Sequence, residues 1–469
     1  MATGLRLSDA LLYAHGQWVG PEPKEEVVFS GVSSDSRTIG PGELFVAIKG
    51  KNFDGNDYVE AALAAGAGAA ISDRPGWAGR PVIEVKNGLK ALGDLARGVR
   101  RSHGFKVLAL TGSVGKTTVK EMAKHILQAR GRSFQPERPV LATQGNLNNE
   151  VGLPLSILEV LKSPRAPMDA VLEMGASAPG DIDLLTDIAR PDVGLITALG
   201  PAHLEFFKDY PSLVKTKAEL IWRMYPGSTA VINKADQDLR AALEGRDMNW
   251  LYYGPGGQIF LRKIQPQGLT GQRLTFGGFM VDNLEVDLNL PGEHNAFNAL
   301  AAAAAAVAMG CGKRDVRQGL SEVKPLAGRL CPVQAPGGYF VLDDSYNANP
   351  ASVRSSLRLL AELVEIRPKG AILGDMLELG EVGPELHQEI GRLAADLGLD
   401  FLALVGDLAK NYQIGIRSSS NKRLREEIFS SPEEAVAWVR TWLEEGGVVM
   451  VKGSRAGGLE RAVQALTQD

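Results

Sequence analysis

Apolar runs and helical spacings alternate along most of this chain. The run Val107-Leu108-Ala109-Leu110 is followed by a short glycine-bearing stretch and then by apolar positions at helical spacing over 119–129. Strand-like runs at 107–111, 170–174, 193–198 and 229–233, each followed by helical or polar segments, predict a mostly parallel sheet covered by helices. Upstream, short β-like pieces at 26–29, 44–48, 69–72 and 81–85 mix with helical patterns at 58–65 and 89–102, as in a small α/β unit. Between 250 and 290 the pattern shifts to short alternating runs with Gly turns, such as Arg273-Leu274-Thr275-Phe276 before Gly277-Gly278. That stretch predicts an antiparallel hairpin addition. Helical spacing returns at 295–309. Beyond 329, strands at 339–343, 370–373, 401–405 and 448–451 alternate with helices at 350–364, 384–397 and 432–445. Pro350 and Pro432 stand where helices begin, which suits a fixed φ and a missing donor. The fold class read from this pattern is α/β in three domains. These are a small N-terminal unit (1–103), a central phosphate-loop sheet with an antiparallel addition (104–328), and a Rossmann-like C-terminal unit (329–469).

Composition narrows the function classes. Hydrophobic content of 44% with 23% charged residues describes a soluble globular chain. With 51 basic and 55 acidic side chains the net charge is −4, so no basic footprint for nucleic acid exists. Cys311 and Cys331 make neither a disulfide framework nor a zinc motif, and read as small buried or half-buried residues in a reducing compartment. The opening MATGLRLSDALL lacks the apolar core and cleavage site of a leader, and the alanine-rich stretch 299–309 is too short to span a bilayer. A cytoplasmic protein without a transmembrane segment is expected.

The most specific chemistry lies in TGSVGKTT, residues 111–118. Strand, glycine loop, Lys-Thr and helix together form a phosphate-binding context. Gly112 and Gly115 let the backbone approach an anion, and the N–H groups there and at the helix start point at it. Lys116 reaches β- and γ-phosphates, and the Thr117 hydroxyl can ligate Mg²⁺. The spacing is unusual, since Ser113 and Val114 alone separate the glycines. The competing reading is an ordinary Gly turn, which the Lys-Thr-Thr disfavours.

Other clusters are less specific alone. Glu173 closes the run Ala170-Val171-Leu172, and a carboxylate at a strand end beside a phosphate loop suits Mg²⁺ or simply solvent. His203 and Lys217 alone read as a lone histidine and a helix-face charge. His294 and Asn295 open the alanine helix, where capping is the default and an adenine edge the alternative. Arg329 sits at a domain junction, able to neutralise a transferring phosphoryl group or to stand as a linker charge. Asp343-Asp344-Ser345-Tyr346-Asn347-Ala348-Asn349-Pro350 ends a buried-type strand, where ligands bind in such sheets, and Val451-Lys452-Gly453-Ser454-Arg455 repeats that arrangement. Ser33-Ser34-Asp35-Ser36-Arg37 either binds an anion or turns the chain.

In this order the pieces resemble the Mur ligase family, the ATP-dependent amide-forming enzymes of peptidoglycan precursor synthesis. The resemblance covers nearly the whole chain and includes the shortened phosphate loop. The stretches GNLNNEVGLPL (145–155), DDSYNANP (343–350), GDMLELG (374–380) and VKGSR (451–455) carry a finer choice. They imply the joining of D-alanyl-D-alanine to UDP-N-acetylmuramoyl-tripeptide. The neighbouring reaction, addition of the third amino acid, is disfavoured because no DNPR-type motif is present. The folate polyglutamylating ligase would not need the nucleotide-sugar segment SSDSRTIGPGELFVAIKG (33–50). A nucleotide-dependent switch is the rival from another class.

The resemblance also implies roles. Gly112, Ser113, Val114, Gly115, Lys116, Thr117 and Thr118 would hold ATP, with His294 and Asn295 facing adenine, Asp344 the ribose and Arg329 the γ-phosphate. Thr117, Glu173, His203 and a carbamylated Lys217 would hold Mg²⁺, and Lys116, Lys217, His203 and Arg329 would carry catalysis. Ser34, Asp35, Ser36, Arg37, Asn148 and Asn149 would lie by the UDP substrate, and Tyr346, Asn347 and Asn349 by D-alanyl-D-alanine. A monomer is expected.

Overall fold

The computed structural model describes residues 4–163, 165, 167, 169–200, 207–421 and 423–468. The chain is mixed α/β, built on three main sheets. The first has five strands in the order Gln17–Trp18, Val82–Glu84, Ala69–Ser72, Leu44–Val46, Val32–Ser33. All pairings are parallel except that of the Gln17–Trp18 edge. Val28–Phe29, expected in this sheet, instead pairs antiparallel with Leu5–Arg6 in a separate ribbon.

The second sheet has nine strands. Lys106–Thr111 runs through its middle, parallel to Asp169–Glu173 on one side and Val193–Ile196 on the other. Helices cover both faces, so this strand is buried throughout except at Lys106, and its continuous apolar run follows. The parallel order continues through Thr229–Asn233 and Asn249–Tyr253 to the start of Ile259–Pro266. The antiparallel addition therefore begins one strand later than the sequence pattern predicts. It comprises Ile259–Pro266, Gln272–Gly278 and Leu284–Leu288. Side chains of Asn249–Tyr253 alternate in burial as an edge hairpin would, which is why periodicity misassigns them.

The third sheet runs Cys331–Gln334, Phe340–Asp344, Val448–Lys452, Lys369–Leu373, Phe401–Val405, Arg425–Phe429, parallel except at the Cys331–Gln334 edge. The last strand in sequence thus lies between two earlier ones. Its register sets Lys452 opposite Asp344 at the C-terminal ends of neighbouring strands.

Apolar contacts help knit the units. Apolar residues of the helix Gly88–His103 share one core with the first face of the central sheet. At the other end, Leu269, on the turn between two strands of the antiparallel ribbon, is buried and joins the apolar core of the C-terminal domain that includes Leu342, Leu357 and Leu360. A hollow of about 560 Å³ opens beside it, lined by Gly268, Gln272, Glu293, Leu359 and Leu363 among others. Among the described residues, no helix is long and apolar enough to cross a membrane.

Candidate active site

The phosphate loop leaves the central strand at Thr111 and enters the helix Lys116–Gly131. Two glycines are structurally required. Gly112 has φ +153 and a Cβ there would stand 2.0 Å from the Thr197 hydroxyl. Gly115 has φ +82 and a Cβ would meet Asn298 Oδ1 at 2.4 Å. Backbone N–H groups of Ser113 and Val114 both donate to the Ala198 carbonyl. These two do not face an anion as the sequence suggests. The free donors lie at the helix start, where Gly115 supplies no side-chain cap.

A cavity of about 640 Å³ opens at this point. Its wall includes Ser113 through Thr118, Asn148, Glu173, His294, Asn295, Arg329, Asp344, Tyr346, Asn347 and Asn349, drawn from the central and C-terminal domains. The fold brings these together from strand ends, as expected for α/β sheets. Thr197, Asn233, Tyr253 and Phe297 also line it without having been singled out, and so do Asn298 and, from the 451–455 stretch, Lys452. Tyr253 and Phe297 belong to segments whose periodicity marks only strand or helix, so no local signal separates them from core residues.

Charge at the cavity is arranged across the junction. Lys116 Nζ donates to the Gly112 carbonyl at 2.9 Å. Burial holds its pKa below the ordinary lysine value, with Glu173 opposing and Arg329 adding to the fall. Arg329 Nη2 donates to Thr117 Oγ1 at 3.0 Å, and its guanidinium lies 4.4 Å from the Tyr346 ring centroid. Glu173 accepts from Asn148 Nδ2 through Oε1 at 3.0 Å, while its buried Oε2 has no partner. Asp344 Oδ2 is shared by Lys452 Nζ at 2.6 Å and the Ser356 hydroxyl at 2.7 Å. Burial pushes His294 down to about 4, so the ring is neutral at neutral pH and both ring nitrogens can meet a neutral base edge.

Lys217 sits on the helix Tyr210–Arg223, buried rather than on an exposed face, and is not part of the cavity wall. Burial first, then the Lys116 charge, lowers its pKa to about 7, against the pull of Asp181 and Glu219. His203 lies outside the described residues. Among the described residues no group of three His, Cys, Asp or Glu side chains is clustered for a metal.

Some expected roles take another form. Asn295 does not cap its helix, which begins at Glu293. Its Nδ2 donates to the Pro291 carbonyl and its Oδ1 accepts from Asn298. Asn149 Oδ1 accepts from the Gly152 N–H at 2.8 Å, so this residue holds the entry to the helix Gly152–Leu158 away from the cavity wall. Asn349 lines the cavity and also caps Pro350–Glu362 by accepting from the Ser352 N–H. Ser34, Asp35, Ser36 and Arg37 lie on the N-terminal domain outside this cavity. There Arg37 closes a local ion pair with Asp35 at 2.6 Å, and the mutual pairing lowers Asp35 to about 2.

Comparison with known proteins agrees with this geometry. Residues 28–100 match the Mur ligase family catalytic domain, 110–306 the Mur ligase middle domain, and 328–455 the Mur ligase glutamate ligase domain. The UDP-N-acetylmuramoyl-tripeptide–D-alanyl-D-alanine ligase of Escherichia coli is 33% identical over 95% of both chains. The crystal structure of MurF from Acinetobacter baumannii superposes with a TM-score of 0.88 at 30% identity over 100% of both chains. MurF of Thermotoga maritima, solved in complex with ADP, gives a TM-score of 0.80 at 31% identity over 93% of this chain and 97% of that one. With one architecture shared from end to end and a phosphate loop facing a basic junction, this chain belongs to the Mur ligase family and is an ATP-dependent ligase.

Proposed function

We propose that this ligase joins D-alanyl-D-alanine to UDP-N-acetylmuramoyl-tripeptide, forming the pentapeptide precursor of peptidoglycan. The observation that carries this is one-third identity, over nearly the full length, to ligases bearing that name. The cavity supports it. Donors for an anion, a carboxylate with a free oxygen and an arginine from the adjoining domain meet in one place. The working division is 1–103 for the UDP substrate, 104–328 for ATP and 329–469 for the dipeptide. In this reading the enzyme is cytoplasmic and monomeric.

A carboxylate does not accept an amine directly, because hydroxide is a poor leaving group. The tripeptide's terminal carboxylate oxygen attacks the γ-phosphorus of ATP, forming an acyl phosphate and releasing ADP. The free amine of D-alanyl-D-alanine then adds to the acyl carbon, and the tetrahedral intermediate expels phosphate. Lys116 and the helix N-terminus hold the phosphates, and Arg329 neutralises charge on the group in transfer. His294 and Asn295 meet adenine and Asp344 the ribose. Thr117, the unpartnered Glu173 Oε2, His203 and a carbamylated Lys217 would hold Mg²⁺. The metal would supply charge neutralisation at phosphate oxygens.

The test is ATP-dependent ligation with each UDP-linked peptide and each amine. Phosphate release is expected only when UDP-tripeptide and D-alanyl-D-alanine are both present. Comparable joining of diaminopimelate to a UDP-linked dipeptide would replace this reading with that of the neighbouring ligase.

A further inference from the structure

We propose that Arg455 binds the terminal carboxylate of the incoming dipeptide, and that its spacing from Arg329 selects an amine donor two residues long. The proposal rests on the ligase reading above and deepens it.

Arg455 has an anchored base and a free head. The preceding Ser454 is buried. Its hydroxyl accepts from the Leu377 N–H at 2.9 Å and donates to the Ala348 carbonyl at 3.4 Å. Its backbone N–H donates to Asp375 at 3.0 Å. The loops 345–349 and 374–380 therefore clamp the backbone from which Arg455 leaves. The Arg455 side chain is exposed and enters no ion pair among the described residues. Its guanidinium lies 5.7 Å from the Tyr346 ring centroid.

Arg329 approaches the same ring, 4.4 Å from its centroid. Both guanidiniums lie against the Tyr346 ring and so are no more than about 10 Å apart. One of them also reaches the phosphate loop through Thr117; the other has no acidic partner. The dipeptide has only two strongly polar ends, an amine that must reach the acyl carbon and a permanently anionic carboxylate. An extended dipeptide spans about 7 Å between them. With the reach of a guanidinium–carboxylate pair added, a dipeptide can bridge separations up to that limit. A planar arginine fork matches a carboxylate in a bidentate way that an ammonium does not. A single amino acid carries amine and carboxylate on one carbon, so its reach is shorter by about 3.5 Å.

The experiment compares wild type, Arg455→Ala and Arg455→Lys on D-alanyl-D-alanine, D-alanyl-D-alaninamide and D-alanine. Arg455→Ala is expected to raise KM for the dipeptide about 10- to 100-fold, with KM for ATP unchanged. The amide, lacking the carboxylate, should be poorer for wild type by a similar factor and lose nothing further in Arg455→Ala. Arg455→Lys should recover part of the preference for acid over amide. D-Alanine should be a poor donor for wild type, by more than the amide is. Equal losses on acid and amide in Arg455→Ala, or no loss at all, would overturn the proposal. The acid-to-amide ratio does not depend on how much enzyme is folded, so a destabilised variant still decides it. Failure of wild type to ligate the dipeptide would instead reject the ligase reading itself.

Discussion

Arg329 and Thr117 stand 212 positions apart in sequence, yet Nη2 of one donates to Oγ1 of the other at 3.0 Å. The bond spans the junction between the central and C-terminal domains. The hydroxyl that would face a metal is held by the arginine that would face the transferring phosphoryl group. Arg329→Ala is expected to lower kcat about 10²- to 10³-fold, with a much smaller change in nucleotide affinity. Steady-state kinetics with titration calorimetry checks both. Turnover close to wild type would remove Arg329 from the reaction.

Lys116→Ala is expected to abolish turnover while leaving the fold intact. The side chain makes one hydrogen bond, to its own loop, and its ammonium is partly desolvated. Losing a positioned charge on a transferring group costs on the order of 3 kcal/mol or more. Near-normal ligation at saturating ATP, with an unchanged melting curve, would contradict this.

Lys217 is expected to tie activity to CO₂. Its folded value of about 7 lies below the ordinary 10.5, so between these the unfolded chain holds a proton that the folded protein has released. Stability contributed by this group therefore rises with pH across that window. The free amine, the form that attacks CO₂, becomes the majority form above about pH 7. In the proposed modification the neutral amine adds to CO₂ and releases one N–H proton, and the anionic carbamate would offer Mg²⁺ an oxygen where the ammonium would repel it. Lys217→Ala should be nearly inactive and partly rescued by a short-chain carboxylate. Wild type in CO₂-depleted buffer should lose activity that bicarbonate restores. Full activity of Lys217→Ala would show the amine to be an ordinary buried lysine.

Lys452 and Asp344 form a buried pair at 2.6 Å beside the cavity. Removing one partner leaves a charge without its counterion, so Lys452→Met should lower unfolding stability by about 3–5 kcal/mol. The double variant with Asp344→Asn should be the more stable of the two in urea titration. If Lys452→Met unfolds with wild type, the pair is not holding these strand ends together.

What sequence reveals here depends on how local the feature is. The phosphate loop was legible because a strand run, two glycines, Lys116 and Thr117 are contiguous. Glu173 was legible as a strand end, and Asp343 through Pro350 as a polar loop before a helix. The pairing of Lys452 with Asp344 was not legible, because the last strand inserts between two earlier ones and periodicity carries no strand order. Two-residue strands such as Leu5–Arg6 and Gln17–Trp18 hold no measurable period. Asn295 sat close to a helix start, but the helix begins two residues earlier, which turns a capping amide into an inward bridge. The position of Lys217 was legible only through the family resemblance, since burial on a helix face cannot be read from a lysine's neighbours.

Leu269 reaches from the antiparallel ribbon into the core of the C-terminal domain. A sliding displacement of that domain would drag the side chain into water, at a cost of about 1.5–3 kcal/mol. The same junction also carries the Arg329–Thr117 hydrogen bond, so it is fastened by an apolar peg as well as a polar latch. Loss of the polar latch alone leaves the peg buried.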